Sequence, residues 1–405
     1  MVQGERLTEV SFENLKTLRN LTLELAPFTV IIGRNGVGKT TVLDGIDAVV
    51  TAAPRGHDLA GLFVGARSFD TLASRQGAER VTVQYQTNTN SVSLTTLRAP
   101  SPSMEGANFW HESGWESHLQ ISNNRLAGPS AMLRLDSRLL AEPSTASTGS
   151  PRLGPSGEGL ATVLSHYIGR RRDPTFARIL DGLKRVVPEV EDLETEPTEV
   201  LRHVEEVIRI DNDALTRQRE ERLPGHRLFL HMRGVGRIAA HEASEGTLLV
   251  LGLLTALYSL GASIILVDDL DRALHPEAQL QLVAAVHQIV ESTGVQVIAT
   301  AHSPVVLMGM RGAEIIRLEL DEAGATRLVD LKAGAPGWMS GSEILERYFG
   351  LSRPSPLSAQ VQRYALLAGD PHRSAEDQAE LAQLRRSVEA AGLKLDLEPV
   401  PQETA

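Results

Sequence analysis

The sharpest chemical signal in the chain is the run Gly33-Arg34-Asn35-Gly36-Val37-Gly38-Lys39-Thr40, followed by Thr41, which satisfies G-x-x-x-x-G-K-[ST]. Glycines in such a run let the backbone turn tightly, so that successive N–H groups point at phosphate oxygens. A helix starting immediately afterwards adds the positive end of its dipole. Lys39 places a compact positive charge on the β- and γ-phosphates of ATP, and the Thr40 hydroxyl is a Mg²⁺ ligand. Far downstream, Asp268-Asp269 ends the apolar run SIILV. A carboxylate there can hold a Mg²⁺ ion and its waters against the nucleotide, which is the role read for Asp268. Asp269 then orients or polarises the attacking water. Taken alone, the two acids also read as a cap for the next helix. Ser244-Glu245-Gly246 supplies a second phosphate-sized helix end, with Ser244 as N-cap and Gly246 allowing close approach to the backbone. One nucleotide does not need two such ends from one chain, so the second is read as facing the γ-phosphate held by a partner subunit. By itself the triplet reads better as a plain helix cap. His302, in His302-Ser303-Pro304, can hydrogen-bond the γ-phosphate and report its loss; a lone histidine after a strand is also a common structural residue.

These residues need particular elements beneath them. Thr29–Ile32 (TVII) is a buried-strand composition, and Thr41–Val50 carries Val42, Leu43, Ile46 and Val49 or Val50 on one helical side. Strand, glycine loop and helix is the context the first motif demands. Thr247–Leu260 reads as an apolar helix, Ser263–Val267 as a strand and Gln296–Ala301 as another. The stretch Thr247–Val267 approaches bilayer length, but Gly261-Ala262-Ser263 interrupts it and Asp268 ends it, so helix, turn and strand are expected and no membrane span.

Composition sets the outer limits. With 405 residues there is room for an α/β core and one or two smaller pieces. The absence of cysteine excludes disulfides, thiolate zinc sites and cysteine nucleophiles. MVQGERLTEVSF has no basic region before an apolar core, so no leader is read and a cytoplasmic location is expected. A net charge of −11 opposes a general nucleic-acid-binding coat but leaves room for a local patch. Arg170-Arg171-Arg172, with Arg178, Lys184 and Arg185, is the densest basic run, readable as a solvated helix face or as a DNA contact.

The expected organisation is α/β. Residues 1–50 form the N-terminal half of a nucleotide-binding head. An antiparallel lobe and loop insertion fill 51–165, with strands at Arg80–Gln86 and Ser91–Leu97 and a loop at Pro143–Gly159. A helical or mixed insertion occupies 166–240, broken by Pro174, Pro188, Pro197 and Pro224. The second half of the head spans 241–332, and a helical extension spans 333–405, with helices at Ile344–Phe349 and from Ser374 towards Gly392. No sustained heptad repeat supports long coiled-coil arms.

The ordered set Gly33–Thr40, Ser244–Gly246, Asp268-Asp269, Leu274-His275-Pro276 and His302-Ser303-Pro304 resembles an ABC-type P-loop ATPase head with a mixed central sheet. Within that class it is similar to the RecF-like and overcoming-lysogenisation-defect (OLD-like, SMC-related) ATPases. Val10–Leu25 resembles their paired N-terminal strands, and Gly157-Glu158-Gly159-Leu160-Ala161 another recurrent piece. The resemblance implies ATP and Mg²⁺ as ligands, and Ser244, Glu245 and Gly246 as a signature element acting across a homodimer of heads. It also implies Arg272–His275 as the D-loop and His302 as a switch histidine. Two departures stand out. Asp269 replaces the usual glutamate, which implies slow turnover, and the Q-loop glutamine has only Gln76, Gln84 and Gln86 as candidates. No LSGGQ, TOPRIM acid set or zinc-nuclease ligand set is present, so a separate effector, a nuclease or toxin, is expected. The functions implied are an ATP-driven sensor or scaffold in bacterial anti-phage defence, a RecF-like DNA repair ATPase, or an ATP-gated module with negligible hydrolysis.

Overall fold

The apolar runs near the N-terminus become strands β1 (Leu7–Leu15), β2 (Leu18–Glu24) and β3 (Phe28–Gly33), and helix α1 (Lys39–Arg55) follows the glycine loop. This computed structural model describes residues 5–55, 63, 69–74, 78–98, 115–122, 128–147, 149–170, 172–210, 213–329, 339, 343, 344, 348, 356–369 and 374–390. After a short helix α2 (Phe69–Leu72) come β4 (Arg80–Thr87), β5 (Ser91–Arg98), β6 (Trp115–Ile121) and β7 (Ser130–Leu133). Next are α3 (Ser137–Ala141), β8 (Ser144–Thr145), α4 (Leu160–Ile168), α5 (Thr175–Val186), β9 (Val190–Ile210), β10 (Asp213–Met232) and β11 (Gly236–Ala239). The remainder of the first compact unit, which ends at Phe349, holds α6 (Glu245–Ser259), β12 (Ile264–Val267), α7 (Pro276–Thr293), β13 (Gln296–Thr300), α8 (Pro304–Met308), β14 (Ile315–Leu320) and β15 (Thr326–Val329). A second unit, Gly350–Ala405, contains α9 (Pro356–Gly369) and α10 (Ala375–Ala390) packed on each other, with Arg363 paired to Glu380 at 2.8 Å. The expected helix at Ile344–Phe349 falls largely outside the described residues, whereas the one expected from Ser374 is α10.

The central sheet runs β15-β14-β3-β13-β12-β7, parallel except for antiparallel β15 at its edge. Its inner strands are mostly apolar because both faces are covered. Phe28, Val30, Ile32, Ile265, Val267 and Val297 enter one core with α6 and α7. On the opposite face, Ile31, Ile264, Leu266 and Ile298 meet Val42, Leu43, Ile46 and Val49 of α1. The fully buried Gln296 side chain bonds Leu7 through both ends, accepting from its N–H and donating to its carbonyl, each at 2.9 Å.

A second sheet, β2-β1-β4-β5-β6, covers the far side of α1. The antiparallel lobe thus begins inside the first fifty residues, since β1 pairs with both β2 and β4. The insertion after residue 166, expected to be helical or mixed, is mixed, with strands where helix and turn were read. Its helical part stops at Val186, and β9 and β10 then form one antiparallel hairpin in near-continuous register. Glu, Leu and Arg are good helix formers, so local composition favoured helix. The ladder wins because Val, Ile and Thr recur along β9 and acids on β9 face bases on β10, as in Arg227–Glu196 at 3.0 Å.

Candidate nucleotide site

β3 ends at Gly33, between β13 and β14, and delivers the glycine loop to one end of the sheet. Gly33 has φ 153, and a Cβ there would stand 2.4 Å from the Leu318 carbonyl oxygen, so only glycine lets the strand turn off against β14. The far side of the loop is fastened by Thr326, whose hydroxyl bonds the Val37 carbonyl at 2.7 Å and the Thr17 hydroxyl at 2.9 Å. Lys39 opens α1 and its Nζ folds back over the loop, donating to the carbonyls of Gly33 (2.9 Å) and Arg34 (3.3 Å). Burial pulls the Lys39 ammonium below its ordinary pKa, while Asp269, Asp268 and Asp271 push it back up. Arg34, Asn35 and Gly36 are exposed at the tip, Val37 is buried beneath it, and Thr40 lies exposed beside Asp268.

The neighbouring strands bring the acids to the same place. Asp268 follows β12, and its carboxylate accepts from the Thr40 hydroxyl (3.1 and 3.2 Å) and from the Thr300 hydroxyl at the end of β13 (2.7 Å). The Thr300 oxygen also accepts from the N–H of Asp269 at 2.8 Å. Asp269 adopts φ 58, a left-handed conformation that costs an L-residue about 1–2 kcal/mol and persists only where the surroundings impose it. Its carboxylate lies 3.3 Å from His302 Nε2, and the His302 N–H donates to Asp271 at 2.9 Å. The structure therefore unites Lys39, Thr40, Asp268, Asp269 and His302, residues widely separated in the chain.

The donor set suits a hard divalent cation that relies on phosphate and water. Among the described residues no cluster of three or more His, Cys, Asp or Glu could hold a metal alone. Mg²⁺ commonly takes one or two protein oxygens and completes its shell with phosphate and water. The Asp268 carboxylate and Thr40 hydroxyl, in hydrogen-bond contact, are such a pair.

The glutamine candidates do not join the site. Gln84 donates to Ser91 at 2.8 Å and Gln86 to Glu9 at 2.9 Å, both within the antiparallel sheet, and Gln76 lies outside the described residues. The residue that does join is Arg134, directly after β7. Its Nη2 pairs with Asp44 of α1, and its Nε lies 3.7 Å from Asp268. Four residues, SAML, were too short a strand signal to find it; only the parallel pairing of β7 with β12 puts Arg134 beside Asp268. Pro155 and Ser156, just before the Gly157–Ala161 piece, support this segment, their carbonyls accepting from the N–H groups of Arg134 and Asp136.

Ser244 caps α6, its hydroxyl accepting from the Thr247 N–H at 3.2 Å. Glu245 is paired with Arg272 at 3.0 Å. A Cβ on Gly246 would sit 2.6 Å from the Ala273 carbonyl oxygen, so the Arg272–His275 turn rests directly on the α6 terminus. Ser244, Gly246, Ala273, His275, Arg185 and Glu189 line a groove of about 570 Å³, to which none of residues 33–40 contributes. The groove at the α6 terminus is thus lined without the phosphate loop.

Known proteins match this arrangement in two blocks. A family model described as "AAA domain" matches residues 9–128, and one described as "AAA domain, putative AbiEii toxin, Type IV TA system" matches 160–308. The structure is similar to an SMC head bound to the C-winged helix domain of ScpA (TM-score 0.50, 14% identity, 80% of this chain and 96% of that one). It is also similar to an SMC head with an extended coiled coil, bound to the C-terminal domain of ScpA derived from Pyrococcus furiosus (TM-score 0.50, 11% identity, 80% and 95%). The fold is that of an ABC-type, SMC-related P-loop ATPase head. Among curated relatives, the Septu protein PtuA of Bacillus mycoides (strain KBAB4) is 20% identical over 402 residues. That match takes in 94% of this chain and 50% of the relative, so the head spans half the length of that protein. A Septu protein PtuA of Bacillus thuringiensis is 35% identical over 91 residues, 22% of each chain. The first family block carries Lys39 and Thr40, the second carries Ser244, Asp268, Asp269 and His302, and Arg134 falls between them.

Proposed function

We propose that the protein binds Mg²⁺-ATP at Gly33–Thr41 and Asp268, closes as a pair of heads around it, and hydrolyses it slowly. The carrying observation is the convergence of Lys39, Thr40, Asp268, Asp269 and His302 at one end of the central sheet, while Ser244 and Gly246 line a groove to which the phosphate loop does not contribute. Two copies arranged head to head would give each nucleotide both helix ends. Lys39 and the loop N–H groups bind and orient the phosphates, Thr40 and Asp268 hold the metal, which neutralises phosphate charge, and Asp269 steers the attacking water with His302 beside it. In the cell this switch would serve bacterial anti-phage defence as a sensor or scaffold, acting with a separate effector such as a nuclease. Likeness to the Septu PtuA proteins and the OLD-like motif order support that reading.

The test is molar mass by light scattering, with and without Mg²⁺-ATP. Asp269→Asn should double in mass on ATP, whereas Lys39→Ala and Ser244→Arg should not. An Asp269→Asn protein that binds ATP yet stays at its apo mass would exclude head closure. Co-purification from the native operon identifies the effector. A RecF-like role has one structural observation in its favour, the exposed Arg170 and Arg172 on the turn between α4 and α5. It requires duplex DNA binding that weakens steeply with salt.

A further inference from the structure

Arg134 has no counterpart among the residues expected from the motifs, yet it makes two ion pairs at the heart of the site. α1 presents Asp44 and, one turn later, Asp47 towards β7 and Arg134. Asp47 is held by the Ser130 hydroxyl at 2.9 Å, and burial, the largest influence on it, raises its pKa. Asp44 has the guanidinium of Arg134 instead, and the same guanidinium reaches Asp268. The contacts on Asp268 are divided. Thr300 donates to Oδ1 at 2.7 Å and Arg134 Nε lies 3.7 Å from Oδ2, while the Thr40 hydroxyl is shared between the two oxygens at 3.2 and 3.1 Å. Oδ2 is therefore the oxygen open to a cation, and a guanidinium and a metal ion compete for it. Two carboxylates this close repel unless a positive charge lies between them.

We infer that Arg134 is a built-in counter-cation of the metal site, bridging Asp44 and Asp268 until a metal-bearing nucleotide displaces it from Asp268. The inference deepens the nucleotide reading above and rests on it. Arg134 is suited to the exchange. Its contact with Asp268 is long and its side chain is 38% exposed, so it can withdraw, while Asp44 tethers it beside the phosphate loop. It is thus a positioning residue. It keeps the acids screened without metal and makes metal entry depend on competition at Oδ2.

The experiment uses the full chain without nucleotide and reads Mn²⁺ binding by electron paramagnetic resonance. Arg134→Gln should tighten Mn²⁺ binding at least about tenfold, and adding Asp268→Asn should abolish the gain. Arg134→Lys keeps a charge but cannot bridge two carboxylates, so about a threefold gain is expected. Unchanged Mn²⁺ affinity in a folded Arg134→Gln protein overturns the inference; if that variant does not fold, Arg134→Lys decides by the same criterion. A second arm measures a fluorescent ATP analogue. Arg134→Gln should lose at least about tenfold in affinity in EDTA and less than about threefold with Mg²⁺, and equal losses in both would make the role merely structural. Wild-type protein that ignores the analogue even with Mg²⁺ would sink the ATP reading, while the Mn²⁺ arm still judges Arg134.

Discussion

Asp269 is the residue to which the proposed function assigns turnover. Its carboxylate is one methylene shorter than the glutamate usual in the class it resembles. Its left-handed φ of 58 and the Thr300 bond to its N–H fix where that short side chain can reach. His302 Nε2 lies 3.3 Å from it, an arrangement that can orient water. Asp269→Asn should therefore lower phosphate release about 10²–10⁴-fold while leaving ATP binding intact. Asp269→Glu should raise release if reach is limiting. Steady-state phosphate assays with parallel nucleotide titrations check both, and undiminished release in Asp269→Asn would move the role elsewhere. Lys39, Thr40 and Asp268 were singled out from motif types and order, and the structure brings Thr40 and Asp268 into hydrogen-bond contact. Arg134 was not singled out, because no periodicity marks an arginine after a four-residue strand.

At the scale of elements, α7 is tied to the segment before β14 by a largely buried polar clasp. His287 Nε2 meets Glu314 at 3.1 Å, just before β14, and the imidazole stacks edge-on against Phe28 at 4.9 Å between centroids. The bond to Glu314 holds the His287 pKa above its ordinary 6.5. Burial alone would raise Glu314, but the bonds from His287 and from the Arg311 N–H outweigh it and hold the pKa below the ordinary 4.5. The histidine contribution is fully present below pH 6.5 and disappears as pH rises through the elevated folded pKa. The glutamate contribution is present above pH 4.5 and disappears as pH falls through the depressed one. The clasp is thus strongest between those limits. Melting temperature should fall from about pH 6.5 to about pH 9 more steeply in the wild type than in Glu314→Gln, and parallel curves would show the clasp to be energetically silent.

At the scale of the whole molecule, the long hairpin joins the head core at its base. Its base is fastened by Val190, Leu193, Leu228 and Leu230, all within the main hydrophobic core. Further out, Leu201 is 56% exposed and the ion pair Arg222–Glu199 lies in solvent, where such pairs add little. Replacing residues 202–221 with Asn-Gly, which closes a two-residue hairpin turn, should shift the melting temperature by no more than about 3 °C and leave ATP binding unchanged. Calorimetry on the shortened chain checks this; a loss of ten degrees or more would show that the distal hairpin packs on the head.

The sequence alone determined the phosphate loop with its strand and helix, the acid pair after β12, and the capped apolar helix α6. Each is a local pattern whose chemistry or periodicity is written in neighbouring residues. The tertiary structure decided what depends on pairing between distant segments. β1 and β2 share a sheet with β4 to β6, and the stretch after Val186 is a hairpin although its residues suit a helix. Arg134 meets Asp268 only because β7 lies beside β12. Strand partners are chosen by packing across the whole chain, so no window of sequence contains them.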